Sequence, residues 1–481
     1  MFNFFRKKPQ PPEQPHARKL QVQKITGQLK REIDAIRRPI IDLGIGGVSS
    51  TNINQVLRYV LTPARNKSRE LAVNNPVAKR YVVQCADGVT GADGITIRPT
   101  PISVNPDLGN ALEQLFYTWA EDPEQFSING QLTIDLFQQL VEKTRAVDGE
   151  CFIRIHKDMK VEIIDAARLS SAKVGLLPGG SFISNSIEFD QYGKPLAYYV
   201  CRYNPVTYLV DYSTYERIPA DEIIHYYIPD FAGQERGIPD LLCVAENLKD
   251  LSTFIEAALI QKKISASSMG FITNTNTDSM MIDENTSTAT YSEYYEPGAI
   301  FELNPGQDVK TINPNSGVDQ IDTFISELMT QVAMGLNISK QNLTMDTSNA
   351  SFSASKLSDK LQQSTFKTRS NVMITKVLKP LYQRWLSNYM MTINTMKLQF
   401  SEYTNLSQAR YIPVKHISID PQRDAQERQT YLEMGVMSKT QIILDMGGEP
   451  EKVFSEIKKE NEENGIQQNP NQGDEHNNST T

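Results

Sequence analysis

Acidic side chains at the ends of predicted strands are the residues whose type and position could support chemistry. Asp165, Asp190, Asp221 and Glu222 border segments in which apolar residues alternate, a pattern typical of β-strands. Carboxylates so placed can bind a metal ion or act as general acid and base. They are also common in solvated turns, which is the interpretation we favour. A carboxylate-based hydrolase remains an alternative, and it requires activity to be lost on mutation of Asp165 or Asp221.

Cys151 and His156 form a second candidate, a thiol nucleophile with its base. Both belong to one alternating segment. Because successive side chains of a strand point to opposite faces, positions 151 and 156 lie on different sides. We therefore reject a direct pair.

Motifs that bind nucleotides, metals or acyl groups are absent from the sequence. There is no GxxxxGK[ST] loop, no GxSxG elbow and no HExxH helix. Gly88, Gly91 and Gly94 precede a predicted strand. In a dinucleotide-binding site the glycine-rich turn follows a strand and opens a helix, so this site is excluded. The four cysteines are widely spaced with no CxxC pair, which excludes a disulfide scaffold and suits a reducing compartment. We predict that the protein is not an enzyme and binds no cofactor or metal.

Charge is unevenly distributed along the 481 residues. The chain carries 49 Lys and Arg against 57 Asp and Glu, a net charge of -8, whereas surfaces coated for DNA binding are usually basic. Residues 1–40 hold ten basic and three acidic residues, a net +7, which leaves -15 for the remainder. We predict that 1–40 is a flexible basic arm that clamps a neighbour or an acidic partner. Its Phe2, Phe4 and Phe5 could dock on a partner or lie in a frayed terminus.

The length of 481 residues predicts about two to four domains, and the hydrophobic pattern predicts the α+β class. Helical periodicity covers 54–85, with a break near Pro76, and then 107–120 and 133–145. Residues 149–228 change to period two, which indicates a β-rich block. The sequence contains no run of about 18 apolar residues, so we predict no membrane-spanning helix.

Two long helices, predicted at 240–267 and 317–336, flank a polar insert. Leu241, Leu248, Ile255 and Leu259 exemplify the apolar stripe of the first helix. A hairpin of two such helices cannot bury both stripes by itself, although an ordinary intramolecular hairpin explains the periodicity equally well. A basic helix follows at 354–390, and Pro380 should kink it. Three shorter helices are predicted at 423–435, 438–446 and 449–463.

The order of these features resembles the portal proteins of tailed bacteriophages, specifically the lambda-type branch. The resemblance covers about residues 55–460. The runs that carry it are Arg69–Arg80, Gly88–Gly94, Val147–Arg154, Ile187–Tyr198, Ile218–His225, Gly233–Pro239, Ile419–Gln426, Met437–Thr440 and Gly448–Phe454. Gly233–Pro239 is the most specific of them. The chain departs from the family pattern at Asp240, where an aromatic residue is expected, and Asp240 could act as a helix N-terminal acid.

The resemblance implies a portal fold that assembles into a ring, a 12-mer, with a central channel at one capsid vertex. The implied parts are 1–40 basic flexible arm, 41–239 wing, 240–269 stem helix 1, 270–313 clip, 314–336 stem helix 2, 337–355 tunnel loop, 356–422 long kinked helix and return to the wing, 423–463 crown helices and 464–481 disordered tail.

The implied function is passage of double-stranded DNA, packaged by the large terminase ATPase and later ejected. Other implied partners are head-completion and tail adaptor proteins, the major capsid protein and a scaffold protein, with no membrane. The implied location is the portal vertex of the virion, after assembly in the host cytoplasm. An adaptor that acts outside a ring is the alternative.

Two sets of site residues follow from this resemblance. The channel set is Lys340, Asn349, Ser351, Lys356 and Lys360. The set expected to bind terminase or adaptors on the clip is Asp283, Glu284, Glu293 and Glu296. Dense cations would hold the phosphates of DNA, so the acidic balance outside the arm suits a conduit along which DNA slides.

Overall fold

The computed structural model describes residues 52–100, 106–266, 270–274, 307–311, 321–346, 351–414, 420–446, 448 and 450–463. These residues form two compact units. Unit 1 comprises the chain up to Glu70, Cys85–Asp240 and the chain from Phe366 onward, and unit 2 comprises Leu71–Gln84 and Leu241–Thr365. Residues 71–84 of the predicted wing, 41–239, belong to unit 2, and the wing assignment itself stays a prediction. The predictions for the arm 1–40 and the tail 464–481 lie outside the described residues.

Helices make up most of the described chain. In chain order they are α1 Ile53–Asn74, α2 Pro76–Val89, α3 Pro106–Ala120, α4 Pro123–Phe126, α5 Ile134–Asp148, α6 Ala245–Ala266, α7 Ile321–Gly335, α8 Lys340–Thr344, α9 Phe352–Met373, α10 Lys379–Thr392, α11 Tyr403–Leu406, α12 Pro421–Glu433, α13 Lys439–Asp445 and α14 Pro450–Glu463. None of the described helices is long and apolar enough to cross a membrane.

Most of the strands are short, and all of the described pairs are antiparallel. They are β1 Thr96–Pro99, β2 Glu150–Ile155, β3 Val161–Ile164, β4 Gly175–Leu176, β5 Phe182–Ser184, β6 Ile187–Phe189, β7 Pro195–Tyr203, β8 Val210–Pro219, β9 Ile223–Tyr227, β10 Gly270–Asn274, β11 Gln307–Thr311 and β12 Ala409–Ile412. Their sheets have the orders β3-β2-β9, β4-β5-β6-β7-β8, β1-β12 and β10-β11. The predicted α+β class is confirmed, and β6 and β7 form an antiparallel hairpin within the predicted β-rich block.

The main core of unit 1 is rich in aromatic residues. Phe116 on α3 is fully buried and packs edge-on against Trp385 on α10, with ring centroids 5.2 Å apart. Trp119, one turn along α3, contacts Phe116 and Phe126. Edge-to-face pairs of this kind add stability beyond the area they bury. Phe116 and Trp119, which lie on one of the predicted helices, thus anchor this core.

Glu150, the first residue of β2, is the centre of a buried ionic cluster in unit 1. Its carboxylate accepts hydrogen bonds from Arg65 at 2.8 Å, from Arg236 at 2.6 Å and from the Nε2 of His225 at 3.0 Å. The backbone N–H of Gly237 adds a fourth bond of 3.1 Å. Glu150 and Arg236 are completely buried. Burial opposes ionisation of Glu150, but Arg236 and His225 outweigh it, so the pKa of Glu150 lies well below its usual range.

Two glycines let the chain approach itself beside this cluster. Gly149 ends α5 in the left-handed region at φ 85°, a conformation that glycine adopts without steric cost. A Cβ on Gly237 would lie 2.0 Å from the carbonyl oxygen of Gly149. The runs Val147–Arg154 and Gly233–Pro239, both quoted for the resemblance, therefore meet at this point.

The long basic helix is interrupted just before Pro380, as the sequence predicts. Residues Ile374–Leu378 form a π-helical turn, in which the N–H of Lys379 bonds the carbonyl of Ile374, five residues earlier. Proline has no N–H and its ring crowds the preceding turn. The wider turn relieves that crowding, which is a common origin of such bulges.

The predicted tunnel loop, 337–355, contains helix at both ends. α8 occupies Lys340–Thr344, with Ser339 as its N-cap, and α9 begins at Phe352. The helix predicted at 354–390 therefore begins two residues earlier, at Phe352. The small residues after Ser351 are compatible with helix once the Ser351 hydroxyl accepts a hydrogen bond from the N–H of Ala354, at 3.3 Å.

We predict that Glu150→Gln destabilises the protein by about 3–5 kcal/mol, because two buried guanidinium groups lose their counter-charge. Glu70→Gln removes one partner of an exposed pair with Lys67 and should change stability by less than about 1 kcal/mol. Thermal unfolding followed by calorimetry measures both. Equal midpoints for the two variants would contradict a central role for Glu150.

Stability should also fall in mild acid because His225 is held neutral. Burial lowers the pKa of His225, against the opposing effect of Glu150. The unfolded chain then binds more protons, so stability is lost as the pH falls through about 6.5. Loss of charge on Glu150 adds to this below about pH 4.5.

His225→Gln keeps a donor for Glu150 and removes the titration. Its unfolding midpoint should therefore depend less on pH between 7 and 5 than that of the unmodified protein. Identical slopes over this interval would refute the assignment to His225.

Candidate functional site

The apolar stripe of α6 in unit 2 divides into a buried and an exposed half. Leu248 and Leu251, near the start of the helix, are buried. Ile255 and Leu259, one and two turns further on, are 46% and 53% exposed. Large apolar side chains this exposed at helical spacing mark a surface for another partner.

The second predicted stem helix corresponds to α7, whose apolar side chains are also partly buried and partly exposed. Val332 is buried, whereas Phe324 is 48% exposed, although its ring lies 4.7 Å from that of Phe254 on α6. Asn247 of α6 donates a hydrogen bond of 3.0 Å to the side chain of Gln331. The two helices thus pack on each other, as predicted for a hairpin, and leave part of their apolar surface uncovered.

The three predicted channel lysines have different surroundings. Lys340 is half-buried and donates a hydrogen bond to the hydroxyl of Ser326. It lines a cavity of about 710 Å³ together with Asp322 and Asp346. Lys356 is half-buried and Lys360 is exposed, and both lie on α9. Because they are four residues apart, these two ammonium groups lie on one helix face, whereas Lys340 is on the separate helix α8.

Of the two remaining channel residues, Ser351 is exposed immediately before α9. Asn349 lies outside the described residues, and so do the clip residues Asp283, Glu284, Glu293 and Glu296. The described part of the predicted clip is the pair β10 and β11, whose register matches Gly270 with Thr311. β11 was not predicted from the sequence, and the run Ala299–Leu303, whose composition favours a strand, lies outside the described residues.

Leu357 and Leu361 are surface residues that the sequence interpretation overlooked. They lie on α9 beside the two lysines and are 61% and 64% exposed. Their i, i+4 spacing was visible in the sequence. It was not informative by itself, because the same spacing is found on helices whose apolar face is buried.

Asp240, the departure from the family pattern, has a role inside unit 1. Its two carboxylate oxygens accept hydrogen bonds of 3.0 and 2.9 Å from Arg145, which is buried and also bonds Glu142. Arg369 of α9 lies 3.9 Å away. The segment Asp240–Val244 is a 3₁₀ turn that precedes α6. Asp240 is thus the counter-charge of a buried arginine as well as an acid at a helix start.

Three of the four carboxylates considered for catalysis are engaged in structural contacts. Asp165 bonds Arg69 at 2.6 Å and caps a 3₁₀ turn through the N–H of Ala167. Asp190 closes the β6–β7 turn, and Glu222 pairs with Arg154. Among the described residues no group of three His, Cys, Asp or Glu side chains could hold a metal ion.

The thiol candidate has no catalytic geometry either. Cys151 is fully buried, and burial raises the pKa of its thiol well above the usual range. The ring of His156 bonds Glu162 at 2.9 Å. The two side chains have separate surroundings, as their positions on the strand predicted.

Comparison with known proteins identifies the family. Residues 47–369 match the family model described as phage portal protein, lambda family. A probable portal protein of Halomonas phage phiHAP-1 is 23% identical over 412 residues, which cover 82% of this chain and 79% of that protein.

Similar solved structures include a chain from the neck of a native gene transfer agent particle, with a TM-score of 0.47 and 12% identity over 82% of this chain and 99% of that one. Another is an HK97 family phage portal protein from Corynebacterium diphtheriae, with a TM-score of 0.31 and 10% identity over 67% and 88% of the two chains. The match to the family model spans well over half of the sequence, and the chain therefore belongs to the lambda family of phage portal proteins.

Proposed function

We propose that this portal protein forms a ring of twelve subunits at one capsid vertex, through which double-stranded DNA enters and leaves. The observation that carries the ring is the exposed half of the α6 stripe, Ile255 and Leu259. Burying one such side chain contributes about 1.5–3 kcal/mol. Neighbouring copies present the same helix, so a closed ring can cover this surface in every subunit at once.

The parts of the ring are proposed as follows. Residues 41–239, without 71–84, form the wing together with the return from α9 and α10. The helices α6 and α7 form the stem, 270–313 the clip, 337–351 a shortened tunnel loop and 423–463 the crown. The shortened loop follows from the start of α9 at Phe352.

DNA contact is proposed for the lysine face of α9. Lys360 is exposed and Lys356 lies one turn before it, so a phosphate could meet both. Sparse cations attract the duplex without the strong binding that a dense basic lining produces, since affinity rises with every neutralised phosphate. Lys340 is hydrogen-bonded to Ser326, so it is less free to reach DNA than Lys360, and its role as a DNA contact stays a proposal.

The force for packaging is proposed to come from the large terminase ATPase, docked on the acidic clip residues Asp283, Glu284, Glu293 and Glu296. Head-completion and tail adaptors would later occupy the same end. The major capsid protein and a scaffold protein would contact the wing from outside. The portal would act in the virion as a structural component, after assembly in the host cytoplasm.

Assembly should depend on the exposed half of the α6 stripe. Leu259→Asp places a charge in the proposed interface and should shift the protein from about 650 kDa, twelve copies of the 54.2 kDa chain, towards the monomer. Sedimentation velocity measures the change.

Ala257→Asp is the matched control, because residue 257 is exposed on the other side of the same helix and receives the same charge. Intact assemblies for Leu259→Asp, or equal dissociation of both variants, would argue against this interface.

Charge reversal on α9 should weaken the hold on DNA while rings persist. Lys360→Glu and Lys356→Glu each replace an attraction to phosphate by repulsion, so particles should retain less packaged DNA. The loss should be larger at low salt, where the charges are screened less. The DNA content of purified particles is the readout. Lys194→Glu, in an exposed turn of the sheet in unit 1, is the control. Unchanged DNA content in both α9 variants would remove these lysines from the channel.

A further inference from the structure

The C-terminal helices of unit 1 have apolar side chains that their own packing does not cover. No residue of α12 or α13 is buried. Phe454 and Ile457 of α14 are 41% and 44% exposed, and Met434 and Val436, between α12 and α13, are more exposed still. A segment of about 40 residues rarely folds without additional contacts. We therefore expect the exposed apolar side chains of α12–α14 to be covered by another segment or chain.

The same segment is acidic. Residues Pro421–Glu463 contain ten Asp and Glu and six Lys and Arg, a net charge of -4. On α14, Glu456 and Glu460 are exposed on either side of Ile457 in the sequence. An occupant that carries apolar groups next to positive charges would match this surface in both respects. A polyanion such as DNA would be repelled.

The N-terminal arm of this chain has that composition. Phe2, Phe4 and Phe5 are followed directly by Arg6, Lys7 and Lys8, and residues 1–40 carry a net +7. The described chain starts at Asn52, so 51 residues precede it. At up to about 3.3–3.6 Å per residue these could extend about 170 Å, which is ample for reaching the C-terminal helices.

We propose that the N-terminal arm docks on the C-terminal helices α12–α14, with its phenylalanines against Phe454 and Ile457 and its basic residues against Glu456 and Glu460. Docking covers the exposed apolar side chains and neutralises the excess acidity of the segment. Because the charges are exposed, the contact weakens as salt is raised. The proposal concerns this contact alone and holds with any number of subunits in the ring.

Hydrogen exchange on the full-length protein tests the contact. In Arg6→Glu/Lys7→Glu/Lys8→Glu, the amides of α14 should exchange about tenfold faster than in the unmodified protein, corresponding to about 1.4 kcal/mol of lost protection. Adding Glu456→Lys and Glu460→Lys to the same chain should restore slow exchange, since the charges are then exchanged across the contact. The triple variant Lys157→Glu/Lys194→Glu/Lys397→Glu changes the net charge equally at exposed positions outside the arm and α12–α14, and it should leave α14 unaffected.

The proposal is overturned if reversal of the arm charges leaves the hydrogen-exchange rates of the α14 amides unchanged. Slow exchange that instead depends on protein concentration would also overturn it, and would indicate a second copy as the occupant. Sedimentation of the same samples reports the assembly state separately. A failure of the arm contact can therefore be distinguished from a failure of the ring.

Discussion

The packing of unit 1 depends on the neutralisation of two buried arginines by one carboxylate, that of Glu150. Arg65 comes from α1, Glu150 from the start of β2, and Arg236 from the segment before α6, so three distant parts of the chain meet there. A buried charge without a partner is strongly unfavourable, whereas a fully hydrogen-bonded pair is tolerated. The cluster therefore selects one arrangement of these segments, because any other arrangement would leave a guanidinium unpaired.

This constraint explains why the most specific runs of the sequence are not catalytic motifs. Gly149 and Gly237 permit the close approach that brings Arg236 to Glu150. Asp240 supplies the counter-charge for the buried Arg145. The polar groups of unit 1 are thus largely used to fix its own fold. In unit 2 the balance differs, because Ile255, Leu259 and Phe324 remain exposed. Exposed apolar side chains at helical spacing are typical of a surface that another chain covers.

Much of the secondary structure could be predicted because it follows from local periodicity. The helices before and after Pro76, the β-rich block and the irregularity before Pro380 all depend on residues close in sequence. The Glu150 cluster could not be predicted in this way, since its members are up to 171 positions apart in the chain and charged residues usually remain at the surface. The start of α9 was misplaced because small polar residues have weak helix propensity, and the capping contact of Ser351 is visible only in three dimensions. For the proposed channel residues, the sequence could not show that Lys360 is exposed or that Lys340 is hydrogen-bonded to Ser326.

Single-particle imaging of the purified full-length protein tests the central claim, that this portal protein acts as a ring around DNA, most directly. We expect closed rings, twelvefold in the particle, whose central opening is wide enough for a duplex and whose inner surface includes the lysine face of α9. Monomers, open chains of subunits, or rings with α9 on the outside would contradict it.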